Sequence, residues 1–144
     1  MVMRLAVDGR KLTDFGIGTY VRALLRGLEA RTDLELTVVT RAGHEERVAE
    51  LAPSARVVTT SARGYGVAEH LQLPAALARE RVDLVHIPHY VLPRLMPRPT
   101  VVTVHDLSFV RHPESHPKDR LEHFARYLPG TLERAAHVIT DSET

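Results

Sequence analysis

Two glycines lie in a short loop directly before the first segment with helical spacing. The loop reads DFGIGTY over residues 14–20. Glycine lets the backbone approach a ligand closely, and a helix N-terminus offers unpaired N–H groups and the positive end of the helix dipole. The pattern predicts that Gly16, Ile17 and Gly18 meet a phosphate or diphosphate oxygen. The alternative is that Gly18 only permits the turn into the helix.

A dinucleotide site fits this loop less well. Arg22 and Ala23 follow where a third glycine would be needed, so the G-x-G-x-x-G pattern fails. Thr40 and Arg41 also stand where an acidic residue is expected after the second strand of such a site.

The apolar segment TVVTV at 100–104 is followed by His105 and Asp106. A histidine at the carboxyl end of a buried parallel strand stands at the edge where ligands bind, and its imidazole can exchange hydrogen bonds with a sugar hydroxyl near neutral pH. Asp106 can hold the loop, cap a turn or orient a neighbouring histidine. The alternative for His105 is a hydrogen bond to loop backbone.

The nine histidines raise the question of a metal site, with His86, His89, His105 and Asp106 as candidates. A zinc site needs a defined tetrahedral ligand set. His112 and His116 flank Pro113 and are not expected to share a helical face. We therefore predict no metal.

A nucleophilic triad of His105, Asp106 and Ser108 is also not favoured. Adjacent positions are expected to point apart, and the sequence has no G-x-S-x-G elbow.

Short apolar runs alternate with helical patterns along the whole chain. The predicted strands are Met3–Val7, Leu34–Thr40, Arg56–Thr59, Leu84–Ile87, Thr100–Val104 and His137–Thr140. The predicted helices are Gly18–Ala30, His44–Leu51, Val67–Arg79 and Asp119–Ala135, with Pro74 and Pro129 as possible breaks in the last two. This alternation predicts an α/β, Rossmann-like three-layer domain with a mostly parallel sheet.

Three irregular stretches follow predicted strands. They are Lys11–Gly18, Pro88–Pro99 and Leu107–Lys118. In a parallel sheet they should gather at the carboxyl edge, where the order of strands reverses and ligands bind.

Composition narrows the class of protein. The 144 residues suit one domain, and 19 basic against 18 acidic residues leave a net charge of +1. That near-balance argues against a nucleic-acid partner. The absence of cysteine excludes disulfides and thiolate metal sites.

Several segments, taken in order, resemble the N-terminal domain of retaining, GT-B-fold glycosyltransferases of family 4. These segments are VDGRKL at 7–12, GIGTY at 16–20, DLVH at 83–86, VVTVHDLS at 101–108, F-x-x-HPE at 109–114 and AHVITDSE at 136–143. The resemblance extends over nearly the whole chain.

The resemblance implies roles for the candidate residues. The Gly16–Gly18 loop would approach the diphosphate of a nucleotide-sugar donor from across a cleft between two domains. His105 would lie near the transferred sugar and the acceptor as a hydrogen-bond partner, and Asp106 would shape that loop; these two are the predicted catalytic residues. The nucleotide sugar is a substrate, and no cofactor is expected.

In that family the donor is held mainly by a C-terminal domain. The sequence ends at Thr144, so we expect residues 1–144 to be the acceptor-side domain alone, inactive without the donor-binding domain or a partner chain. We expect a cytoplasmic location and leave peripheral membrane contact open. Two alternatives remain: a non-catalytic binding or assembly module, and a generic nucleotide-binding Rossmann-like domain.

Overall fold

The computed structural model describes residues 1–61, 67–96 and 99–141. In chain order its elements are β1 (Met3–Asp8), α1 (Ile17–Glu29), β2 (Leu34–Arg41), α2 (Glu45–Leu51), β3 (Arg56–Thr60), α3 (Val67–Ala78), β4 (Leu84–Ile87), β5 (Thr100–Val104), α4 (Ser108–Arg111), a 3₁₀ turn (Pro113–Ser115), α5 (Lys118–Arg134) and β6 (His137–Thr140). The six predicted strands and four predicted helices are confirmed, with every boundary within one residue of the prediction.

The strands form one parallel sheet in the order β3-β2-β1-β4-β5-β6. The order reverses at β1, whose neighbours are β2 on one side and β4 on the other. The chain therefore has the expected α/β, Rossmann-like arrangement, with its switch point between the loops that follow β1 and β4.

Side chains that alternate along the strands build a core on each face of the sheet. Leu5 and Val7 of β1 pack in one cluster with residues of α1 and α2, whereas Ala6 packs in the other with Leu73 and Leu77 of α3. Helix α5 lies beside α3 through a stacked His70–Tyr127 pair whose ring centroids are 5.0 Å apart.

Neither proline interrupts its helix. Pro74 lies inside α3 and Pro129 inside α5. Buried side chains stand on both sides of Pro129, at Phe124 and Thr131. Tertiary packing thus holds the helix where local propensity alone predicts a possible break.

One prediction about the loops is wrong in part. The stretch Leu107–Lys118, expected to be irregular, contains α4 and a 3₁₀ turn. The local reason is a hydrogen bond from the Ser108 amide to the Asp106 carboxylate, 2.6 Å long, which satisfies an unpaired amide at the start of α4. Pro97 and Arg98 of the Pro-rich loop and Ser142–Thr144, which include the last two residues of the AHVITDSE segment, lie outside the described residues.

Candidate functional site

The register of the sheet sets which residues meet at its carboxyl edge. Val104 pairs with Thr140 between β5 and β6, so the next residues, His105 and Asp141, stand side by side just past the strand ends. On the other side of β5, Ile87 of β4 pairs with Val102. The loop that begins at Pro88 therefore also leaves the sheet next to His105.

His105 is held from both sides. Its Nδ1 lies 2.6 Å from the Asp141 Oδ2, and its Nε2 lies 2.8 Å from the Pro88 carbonyl oxygen. The Tyr20 ring lies 4.7 Å away in an edge-to-face arrangement. The side chain of His105 keeps 18% of its surface exposed. The two alternatives given by the sequence therefore both hold: His105 stands at the edge where ligands bind, and it forms a hydrogen bond with loop backbone.

Thr103 links two polar side chains next to His105. The Nε2 of His86 and the hydroxyl of Tyr20 lie 2.8 Å and 3.1 Å from the Thr103 Oγ1. Burial, with a smaller effect from the charge of His105, lowers the pKa of His86 to about 4. His86 is consequently neutral at neutral pH. It supports the floor of the site, whereas His105 stands at its surface.

Asp106 turns away from His105 toward α4. Its two carboxylate oxygens accept hydrogen bonds from the amide and the hydroxyl of Ser108. These bonds lower the pKa of Asp106 below its ordinary value. Of the uses foreseen for this residue, the structure shows the cap of a turn, which shapes the loop after His105.

The argument that adjacent positions point apart does not extend to Asp106 and Ser108, which are two residues apart. The turn into α4 brings them into contact, and His116 Nε2 lies 2.7 Å from the same hydroxyl. A carboxylate only accepts, so the hydroxyl gives its proton to Asp106 and His116 must then donate to the hydroxyl. A histidine that donates cannot act as the base for Ser108, and the arrangement still offers no activated nucleophile.

The glycine loop before α1 is closed on itself. Gly16 has a φ of 74°, and the amides of Ile17, Gly18 and Thr19 donate to the carbonyls of Phe15, Asp14 and Gly16. A side chain at Gly18 would come within 2.7 Å of the Leu12 carbonyl oxygen. Close packing against Leu12 is therefore sufficient to explain a glycine at position 18. A diphosphate would have to compete for these amides, so phosphate binding by Gly16, Ile17 and Gly18 stays a prediction.

A second ionic cluster, not foreseen from the sequence, lies at the end of β1. Arg10 donates to both carboxylate oxygens of Asp8 at 2.8 Å, and His89 Nε2 lies 3.6 Å from Asp8. All three side chains are buried. Burial by itself would raise the pKa of Asp8, but the hydrogen bonds and charge of Arg10, aided by His89, lower it far below its ordinary range. The sequence feature that could have predicted this cluster is the Asp-x-Arg spacing at the end of an apolar strand. Charged residues are rarely buried unless they are paired, so an Asp and an Arg at this position are expected to bind each other.

The candidate metal ligands do not converge on one point. His86 bonds Thr103, His105 bonds Asp141 and Asp106 bonds Ser108. Within 1–61, 67–96 and 99–141, no three His, Asp or Glu side chains form a group that could hold a metal ion. Within the same ranges, no helix is long and apolar enough to cross a membrane.

Two comparisons with known proteins agree with each other. The sequence model of Glycosyltransferase Family 4 matches residues 16–144. O-antigen chain mannosyltransferase B of Escherichia coli is 35% identical over 75 residues, which cover 51% of this chain and 19% of that protein. The match thus spans about a fifth of the relative's length.

Proposed function

The chain belongs to glycosyltransferase family 4, and from that premise we propose that it supplies the acceptor-side half of a GT-B enzyme. The enzyme transfers a sugar from a nucleotide-sugar donor to an acceptor with retention of configuration. The observation that carries the proposal is the contact between Tyr20 and His105, whose rings are 4.7 Å apart. Through it, the helix that follows the glycine loop meets the strand end that bears the candidate histidine.

The proposal gives each candidate residue a role. His105 lies beside the transferred sugar and the acceptor, and Asp106 fixes the loop that follows it through its bonds to Ser108. The Gly16–Gly18 loop faces the donor diphosphate across the cleft. A donor-binding domain or a partner chain holds the nucleotide from the other side. The departing phosphate helps deprotonate the acceptor, so the reaction needs no protein nucleophile.

The relative's name suggests the first donor to test. It is a mannosyltransferase, so nucleotide-activated mannose stands first in a panel of nucleotide sugars. Nucleotide sugars as substrates also fit the cytoplasmic location that we propose.

The test uses the complete reading frame that contains this chain. The purified protein is incubated with radiolabelled nucleotide sugars and candidate acceptors, and we expect transfer that His105→Ala reduces strongly. Asp83→Asn is the control, because Asp83 pairs with Arg4 and leads into β4 from the opposite edge of the sheet. NMR of the new glycosidic bond then shows whether configuration is retained.

Two outcomes would overturn the proposal. A folded protein that transfers nothing from any donor, but binds a protein partner, is an assembly module. The 144-residue chain binding nucleotides at micromolar Kd, instead of the roughly millimolar or weaker Kd expected of a half site, is a generic nucleotide-binding domain.

A further inference from the structure

Both ring nitrogens of His105 face oxygen atoms of the protein. A peptide carbonyl oxygen and a carboxylate oxygen can only accept hydrogen bonds. One faces Nε2 at 2.8 Å and the other faces Nδ1 at 2.6 Å. A neutral imidazole has a single N–H and would leave one of these contacts as two lone pairs facing each other. An imidazolium, with a proton on each nitrogen, satisfies both.

We propose that Asp141 is a positioning residue that, together with the Pro88 carbonyl, holds His105 as a fixed, doubly protonated cation at the carboxyl edge of the sheet. The inference rests on the proposed function, because it states which charge His105 presents to the donor and acceptor. It gives Asp141, which the sequence patterns did not single out, a part in the site.

The surroundings of His105 favour a positive charge there. Asp141 faces it from the end of β6, and the uncharged Tyr20 ring packs against it from α1. His86, on β4, has a pKa of about 4 and is neutral at pH 7, so it adds no repulsion. Asp106, the next residue, carries a negative charge that is turned toward Ser108.

The charge state changes what His105 can do. An imidazolium has no free lone pair, so it cannot act as a base toward the acceptor hydroxyl. A fixed cation instead stabilises negative charge that develops nearby, as on a departing diphosphate. Asp141 keeps the ring in place, while part of the His105 side chain stays exposed at the carboxyl edge of the sheet.

The test is NMR of the ¹⁵N-labelled 144-residue chain at pH 7. Long-range correlations from the carbon-bound ring protons report the state of both ring nitrogens without requiring slow exchange of the N–H protons. In the unsubstituted chain we expect both nitrogens of His105 at imidazolium shifts. Asp141→Asn has the same shape without the charge. In that variant we expect one nitrogen to move to the shift of an unprotonated ring nitrogen and the other to keep its proton toward Pro88.

Asp106→Asn is the matched control. It removes a neighbouring carboxylate whose hydrogen bonds go to Ser108, and both His105 nitrogens should stay protonated. The proposal is overturned if the unsubstituted chain has an unprotonated His105 nitrogen at pH 7. It is equally overturned if Asp141→Asn leaves both nitrogens unchanged. The first measurement needs no variant, so a poorly folded variant cannot obscure the answer.

Activity of the complete enzyme separates this inference from the proposed function. If the nitrogens respond as expected, Asp141→Asn should lower kcat about tenfold with little change in KM, since loss of a fixed charge acts on the transition state. If the nitrogens respond and no variant of the complete protein transfers sugar, the protonation of His105 stands and the proposed function fails. Unresponsive nitrogens in an active enzyme overturn the inference alone.

Discussion

Two ion pairs stand at the same edge of the sheet, and they differ mainly in burial. Arg10 and Asp8 lie 2.8 Å apart, with 5% and 2% of their side chains exposed. His105 and Asp141 lie 2.6 Å apart, with 18% and 40% exposed. The first pair is buried at the end of β1, and the second is partly exposed to solvent past β5 and β6.

The difference in burial separates a structural role from a functional one. A buried charge that loses its partner carries the full cost of desolvation, so the pair at Asp8 fixes the loop after β1 but has no free surface for a ligand. A half-exposed pair costs less to rearrange and can meet a substrate. The same chemistry thus anchors the backbone at one strand end and presents a charge at another.

The largest expected effect is on the buried pair. Arg10→Ala leaves Asp8 charged and buried, and should lower the free energy of unfolding by about 3–5 kcal/mol, measured by urea denaturation at pH 7. Arg31→Ala is the control: Arg31 contacts both carboxylate oxygens of Asp33 with the same two-residue spacing, but on the surface. That variant should be close to the unsubstituted chain. Equal losses in the two variants would remove the distinction between the regions.

The next effect is on turnover. In the complete enzyme, His105→Ala should lower kcat/KM about a hundredfold, or roughly 2–4 kcal/mol. Because His105 is half-buried, its loss should change the unfolding free energy by about 1 kcal/mol or less. The same two quantities are measured for His86→Ala as a comparison, because His86 is buried and forms a hydrogen bond with Thr103. Full activity together with a large loss of unfolding free energy in His105→Ala would make His105 a structural residue like Asp8.

His86 is expected to make the stability of the fold depend on pH, with an effect of intermediate size. Its folded pKa of about 4 is below the ordinary 6.5, so the unfolded chain binds the proton first as pH falls. The stability that neutral His86 contributes is present above about pH 6.5 and is lost as the pH falls to about 4. Between pH 7 and pH 5 the loss should be about 2 kcal/mol.

His86→Gln tests this assignment, because glutamine can still bond Thr103 but does not titrate. Urea denaturation at the two pH values should show about 2 kcal/mol less pH dependence in the variant than in the unsubstituted chain. An unchanged pH dependence would mean that His86 takes up its proton as readily in the folded chain as in the unfolded one.

The smallest effect concerns Asp106. Asp106→Ala removes the bonds to the Ser108 amide and hydroxyl and should lower stability by about 1 kcal/mol. In the complete enzyme it should affect activity less than His105→Ala, because Asp106 acts through the loop. A larger loss of activity than in His105→Ala would reverse the roles of the two residues.

What the sequence determined by itself is local. Alternation and helical spacing depend on residues a few positions apart, so the boundaries of the six strands and of the four predicted helices could be placed within one residue. The parallel sheet and its carboxyl edge followed from the alternation of these elements, whereas α4 and the 3₁₀ turn were not predicted. The position of His105 at that edge followed from its place after an apolar strand. The start of α4 also depends on a local contact, because the Asp106 and Ser108 that form it are two residues apart.

What only the tertiary structure decided is which distant groups meet at that edge. Asp141 is 36 residues from His105, and the Pro88 carbonyl is 17 residues away. Nothing in the local pattern of β5 names either partner. They are set by the strand order β4-β5-β6 and by the register that pairs Val104 with Thr140. Register arises from packing of whole strands against the core, so the charge of His105 is a property of the assembled sheet.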